Sequence, residues 1–95
     1  MITDSNITFG DCKVEGREYI QSINFNDIMI GVLIQKEKNS LSGINEKYQF
    51  GCKEEHINNC NYEESEDIGW MFIVSNTLDE FLININNCIK NGHKI

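Results

Sequence analysis

The stretch GCKEEHINNC, residues 51–60, sets Cys52, His56 and Cys60 at intervals of four. Thiolate and imidazole are the donors zinc takes, in a tetrahedral site whose ligands lie within about 4 Å of one another. Neither regular conformation satisfies that distance. On one straight helix, residues eight apart are separated by about 12 Å of rise. Along a strand the three share a face but spread further, at about 3.3 Å per residue. Only a segment that breaks and folds back would gather them, with a fourth ligand drawn from Cys12, Cys88 or His93. No metal or other cofactor is therefore expected.

Nucleophilic catalysis is equally disfavoured at this stretch. Glu54 and Glu55 flank His56 with negative charge, which opposes formation of a thiolate. The chain holds no G-x-S-x-G, no H-E-x-x-H and no glycine-rich phosphate loop. We expect a non-enzymatic protein without catalytic residues. Both histidines are expected at the surface, and Cys88 is expected in the core as a small hydrophobe.

The remaining chemistry is acidic. Glu63, Glu64, Glu66 and Asp67 lack the alternating D-x-D-x-D-G pattern of a calcium loop. They suit a docking patch for lysines and arginines of a partner, with Tyr62 and Trp70 beside them as aromatic anchors. Net charge is −7, and from Glu54 onward eight acids face only Lys90 and Lys94. Such a field repels nucleic acid and anionic membranes, and it speeds association with basic protein surfaces. The candidate partner-binding set is Glu54, Glu55, Tyr62, Glu63, Glu64, Glu66 and Asp67, on a face built around residues 54–80.

The chain has 95 residues, enough for a single compact domain spanning residues 1–95. Fifteen isoleucines and five phenylalanines supply core material, so the chain is expected to fold. The absence of alanine and proline beside abundant Ile, Asn, Lys and Glu reads as the habit of an AT-rich genome, bacterial or phage. MITDSNITFGD has no basic patch followed by an apolar run, and no apolar stretch approaches the roughly 18 residues of a membrane span. A cytoplasmic location follows as the expectation, with four reduced thiols.

Residues 6–9 form a short strand candidate that ends at Gly10-Asp11. Residues 17–25 alternate so that Tyr19, Ile23 and Phe25 share a face with Gln21. IMIGVLI, residues 28–34, is apolar on both faces, with Ile28, Ile30, Val32 and Ile34 on one of them. Residues 36–47 read as an exposed connection, KYQFGC as a strand, and residues 54–67 as a second exposed segment. IGWMFIV follows as another central strand, so Trp70 is expected in the core. In T-L-D-E, residues 77–80, the Thr77 hydroxyl can accept from the Glu80 N–H while the Glu80 carboxylate returns to the N–H of Thr77. Leu78, Phe81, Leu82, Ile85, Cys88 and Ile89 then form a helical stripe that Asn91-Gly92 stops. The class is α+β: a mostly antiparallel sheet of four to five strands with one C-terminal amphipathic helix packed on it.

VSNTLDEFLINI resembles the closing strand and helix of the SUKH superfamily through Leu78, Asp79, Glu80, Phe81 and Leu82. ITFGD is similar to that family's strand-to-turn segment through Phe9, Gly10 and Asp11. The resemblance implies an α+β fold, no catalytic activity and service as a bacterial immunity protein that neutralises a toxin, often a nuclease. Together these features describe an acidic protein-binding inhibitor that occludes a basic surface of a toxin or nuclease. A phage-encoded counter-defence protein, an anti-CRISPR-like DNA mimic, fits the same charge and size. A small-ligand or metal-binding module using Cys52, His56 and Cys60, assembled as a homo-oligomer, is the third class.

Overall fold

The computed structural model describes residues 1–37 and 44–95. Seven strands precede one helix: β1 (Ile7–Phe9), β2 (Lys13–Glu15), β3 (Glu18–Phe25), β4 (Ile28–Glu37), β5 (Ile44–Lys53), β6 (Tyr62–Glu64), β7 (Trp70–Ser75) and α1 (Leu78–Lys90). They form one antiparallel sheet in the order β1-β3-β4-β5-β7-β6, with β2 also on β3. The α+β class and the antiparallel pairing match expectation, but the strand count exceeds four to five.

Short edge strands account for the surplus. β1 and β2 lie end to end along the outer edge of β3, pairing with Ile23–Phe25 and with Glu18–Ile20 respectively. An interruption at residues 10–12 separates them, and Gln21 Nε2 donates to the Gly10 carbonyl there at 3.1 Å. β6 lies within the acidic segment expected to be an exposed connection. Its three residues are all exposed and pair only with β7, so no alternation of burial marks it in the sequence.

β3 and β4 meet in a two-residue turn whose Asn26 and Asp27 both have positive φ, 49° and 66°. Asn and Asp tolerate that left-handed pair better than other side chains do. The predicted connection at residues 36–47 is a correction. Lys36 and Glu37 extend β4, residues 44–47 begin β5, and the middle of that segment lies outside the described residues. The even alternation expected along residues 28–34 also fails. Ile23 pairs with Gly31 but Asn24 pairs with Met29, so Ile30 is an inserted residue. Ile30 is buried, whereas Ile28 and Met29 stand exposed.

α1 seats its stripe of Phe81, Leu82, Ile85 and Cys88 on the sheet, against Ile23, Leu33, Tyr48, Phe50, Cys52 and Ile73. Phe81 meets the Phe50 ring edge-on at 5.6 Å. Its own ring lies over Gly31, where an added Cβ would come within 2.8 Å of Phe81 Cζ and 2.6 Å of the Gln49 carbonyl. Gly31 is therefore required by the close approach of helix to sheet. Each side chain fully buried in this layer contributes about 1.5–3 kcal/mol.

Both helix ends are closed. The Thr77 hydroxyl accepts from the Glu80 N–H at 3.1 Å, while the Glu80 carboxylate reaches past Thr77 to the N–H of Asn76 at 3.2 Å. At the other end the N–H of Gly92 (φ 110°) donates to the Ile89 carbonyl and that of His93 to the Cys88 carbonyl. This is the Schellman pattern that Asn91-Gly92 predicts. Asn86 exchanges two 2.8 Å hydrogen bonds with the backbone of Ile2, which fastens the buried Ile2 to the helix.

Candidate protein-docking surface

After β5 the chain makes a single 3₁₀ turn at Glu54–His56, then dips inward at Ile57 and Cys60 before running out along β6. Residues 65–69 return it to β7. Ser65 Oγ accepts from the Asp67 N–H at 3.2 Å and the Asp67 carbonyl from the Trp70 N–H at 3.1 Å. Gly69 (φ 82°) completes the bend, and its carbonyl accepts from the Glu54 N–H at 2.8 Å. That bond ties the acidic loop to the acidic 3₁₀ turn. Two segments separate in sequence thus become one end of the molecule.

At this end Ile68 is fully exposed, with a relative accessibility of 102%. It lines an open depression of about 350 Å³ with Glu54, Glu55, Lys53, Gly69 and Trp70. Trp70 is 40% exposed, and Lys53 Nζ lies 6.0 Å from its ring centroid. Expected in the core, Trp70 instead occupies the face of β7 that the helix leaves uncovered, because its partner in register is the exposed Lys53. Glu66 and Asp67 sit in the same loop and are exposed. The arrangement is an exposed apolar side chain beside the Glu54 and Glu55 carboxylates and the Lys53 ammonium, with Glu66 and Asp67 just before it in the same loop.

The seven predicted site residues do not form one patch. Glu54, Glu55, Glu66 and Asp67 belong to this end. β6 divides the other three by its alternation: Glu63 pairs with Phe72 on the uncovered face, whereas Tyr62 and Glu64 pair with Ile73 and Met71 on the helix side. Glu63 is bound to Lys47 at 2.9 Å. Tyr62 borders a separate depression with Ile57, Cys60 and Met71. Ile68 was absent from the predicted set because IGWMFIV reads as one strand. An isoleucine caught between Asp67 and Gly69 in a bend was the available signal.

The stretch that first suggested chemistry is resolved differently from a shared site. It does break and fold back, bringing Cys60 toward Cys52 and toward Cys88 of α1. Burial raises the pKa of all three thiols, that of Cys88 to about 12 through burial and then its contact with Cys52. They are poor thiolates. His56 turns away from them, with Nε2 3.6 Å from Glu55 and its ring against Gly92. Both histidines, expected at the surface, are half-buried. The His93 ring lies 5.5 Å from that of Phe50, tilted by 48°, and its pKa is lowered by burial and then by His56. Among the described residues no group of three His, Cys, Asp or Glu side chains is arranged to hold a metal ion. Among them, too, no helix is long and apolar enough to cross a membrane.

Comparison of the chain with protein-family models, with curated proteins and with solved structures finds no match.

Proposed function

We propose that the chain is a non-enzymatic, acidic, protein-binding inhibitor of the immunity type, which neutralises a toxin by covering a basic surface. A nuclease suits this best, because its nucleic-acid groove supplies the lysines and arginines that carboxylates attract. The docking end comprises Glu54, Glu55, Glu66 and Asp67 around Ile68 and Trp70. Association would be fast and salt-sensitive, steered by the charge and held by the apolar anchor.

The observation that carries this reading is the full exposure of Ile68 beside the Glu54 and Glu55 carboxylates. Leaving such a side chain in water has no benefit to the folded monomer. The same feature favours protein docking over DNA mimicry, since a phosphate mimic needs carboxylate rows and gains nothing from an apolar centre. The counter-defence reading remains the second, with the acidic end occupying a basic nuclease channel.

The test is co-expression with nuclease toxins in a bacterial host. Wild-type chain should protect the cell and bind the purified toxin with salt-dependent affinity. Reversing Glu54, Glu55, Glu66 and Asp67 to lysine should abolish both while the circular dichroism spectrum is retained. Ile68→Asp should weaken binding by at least tenfold. Protection that survives both changes would sink the proposal.

A further inference from the structure

Among the described residues nothing packs on the sheet face opposite α1, and its composition differs from the rest of the surface. Across its middle Gly51 on β5 pairs in register with Phe72 on β7, and Met29 on β4 borders the same depression as both. Met29 is 60% exposed and Phe72 37%. Between them Gly51 leaves a gap, where an added Cβ would touch nothing within 4 Å. The result is an apolar hollow of about 260 Å³ walled by Met29, Val32, Gln49 and Phe72. Knob and hole therefore stand side by side on one surface.

Charge on this face is balanced. Strand alternation places Lys13, Lys36, Lys47 and Lys53 there against Glu15, Glu18 and Glu63. Among the described residues four lysines less three glutamates leave +1, while the whole chain carries −7. Lys36–Glu18 at 3.0 Å and Lys47–Glu63 at 2.9 Å close as ion pairs. Two of the lysines are thereby neutralised toward phosphate, and a basic protein finds little here to attract it. For two copies of an acidic chain, however, this is the surface on which they meet without like-charge repulsion.

We propose that this face binds a second copy of the chain in a twofold sandwich. An axis lying in the interface along the strands, midway between Met29 and Gly51, sets Met29 of each copy over the Gly51 hollow of the other. A knob adjacent to its own hole is what an isologous contact requires. β3, β4, β5, β7 and β6 have 8, 10, 10, 6 and 3 residues, and at about 3.3 Å per residue and about 4.8 Å between strands they give a face of roughly 590 Å². Two such faces bury about 1,200 Å², the lower edge of the range for stable specific interfaces. Both helices point away from the contact, while Trp70 and Lys53 of the acidic end lie at the rim of the same face. This inference does not rest on the toxin-docking reading.

Sedimentation equilibrium across a concentration series tests it. The wild-type chain should reach twice its 11.0 kDa mass. Met29→Lys should raise the dissociation constant at least tenfold, because it drives a charge into the partner's hollow. Phe72→Lys should do the same, and both residues are exposed enough for the fold to survive, as circular dichroism would verify. Glu66→Lys, at the acidic end, should leave the dimer unchanged. A mass of 11.0 kDa at every concentration, or a dimer indifferent to both lysine variants, overturns the proposal. Binding of single-stranded DNA to the Trp70 and Phe72 rings by an 11.0 kDa species would overturn it too.

Discussion

The two faces of β7 differ in a way that composition hides. Toward the helix the strand presents Met71, Ile73 and Ser75; toward the uncovered side it presents Trp70, Phe72 and Val74. The larger, more aromatic set is the one left outside. Ile73 is completely buried, yet Phe72 one residue away is 37% exposed. Hydrophobic size therefore did not decide which face became the core. The helix stripe did, because one helix covers only one side of a sheet and its Phe81 needs the flat seat that Gly31 provides. A strand apolar on both faces is usually buried on both. In the proposed dimer the second cover comes from the other copy.

The comparison breaks if the two faces contribute equally to stability. In the dilute monomer, Ile73→Ala should cost about 2–5 kcal/mol, from lost transfer energy and the cavity left behind. Phe72→Ala should cost less, about 1–2 kcal/mol, because 37% of its surface already stands in water. Urea denaturation of the two variants measures the contrast, and equal losses would mean that the outer face is packed within one chain.

A pair of glycines sharpens it. Gly31→Ala forces a methyl against Phe81 and the Gln49 carbonyl and should destabilise by about 1–3 kcal/mol. Gly51→Ala adds a methyl to open space in the same sheet. It should stabilise the monomer by about 0.5–1 kcal/mol, the usual disadvantage of glycine inside a strand. Opposite signs in urea midpoints are the expected outcome.

The smallest effect is a pH dependence confined to the covered side. Cys88 is held neutral with its pKa raised to about 12, above the ordinary thiol value of 9.0. As pH rises through 9.0 the unfolded chain loses that proton first, so native stability should decline progressively toward pH 12. Tyr48, pushed up to about 12 by burial and its hydrogen bond to Glu46, acts in the same sense. Cys88→Val should shallow the alkaline decline without removing it. Denaturation midpoints collected from pH 8 upward would reveal a slope that the substitution leaves untouched if the thiol is not protected.

Legibility in the sequence followed local patterning. The helix was readable because cap, stripe and stop agree: Thr77, then Phe81, Leu82, Ile85 and Cys88, then Asn91-Gly92. β3 was readable from the spacing of Tyr19, Ile23 and Phe25, although Gln21 interrupts it. β6 was not, since a three-residue edge strand with no buried position carries no periodic signal. The bulge at Ile30 was also hidden, because one inserted residue reverses the phase of an alternation without altering its composition. Of the candidate site, the acidic character of residues 54–67 was legible and its grouping was not. β6 sends Glu63 to Lys47 on one face and Tyr62 and Glu64 to the other.

The amino-acid sequence by itself determined an acidic α+β chain with antiparallel strands, a capped terminal helix and a cluster of carboxylates after residue 53. These depend on propensity, charge and periods of two and 3.6 residues, all of which are local. Only the tertiary structure decided which apolar face was covered, that Ile68 would stand alone in water, and that Cys52, Cys60 and Cys88 would gather while His56 turned away. Those outcomes depend on strand register and on where a single helix can sit, and neither is encoded in any short segment of the chain.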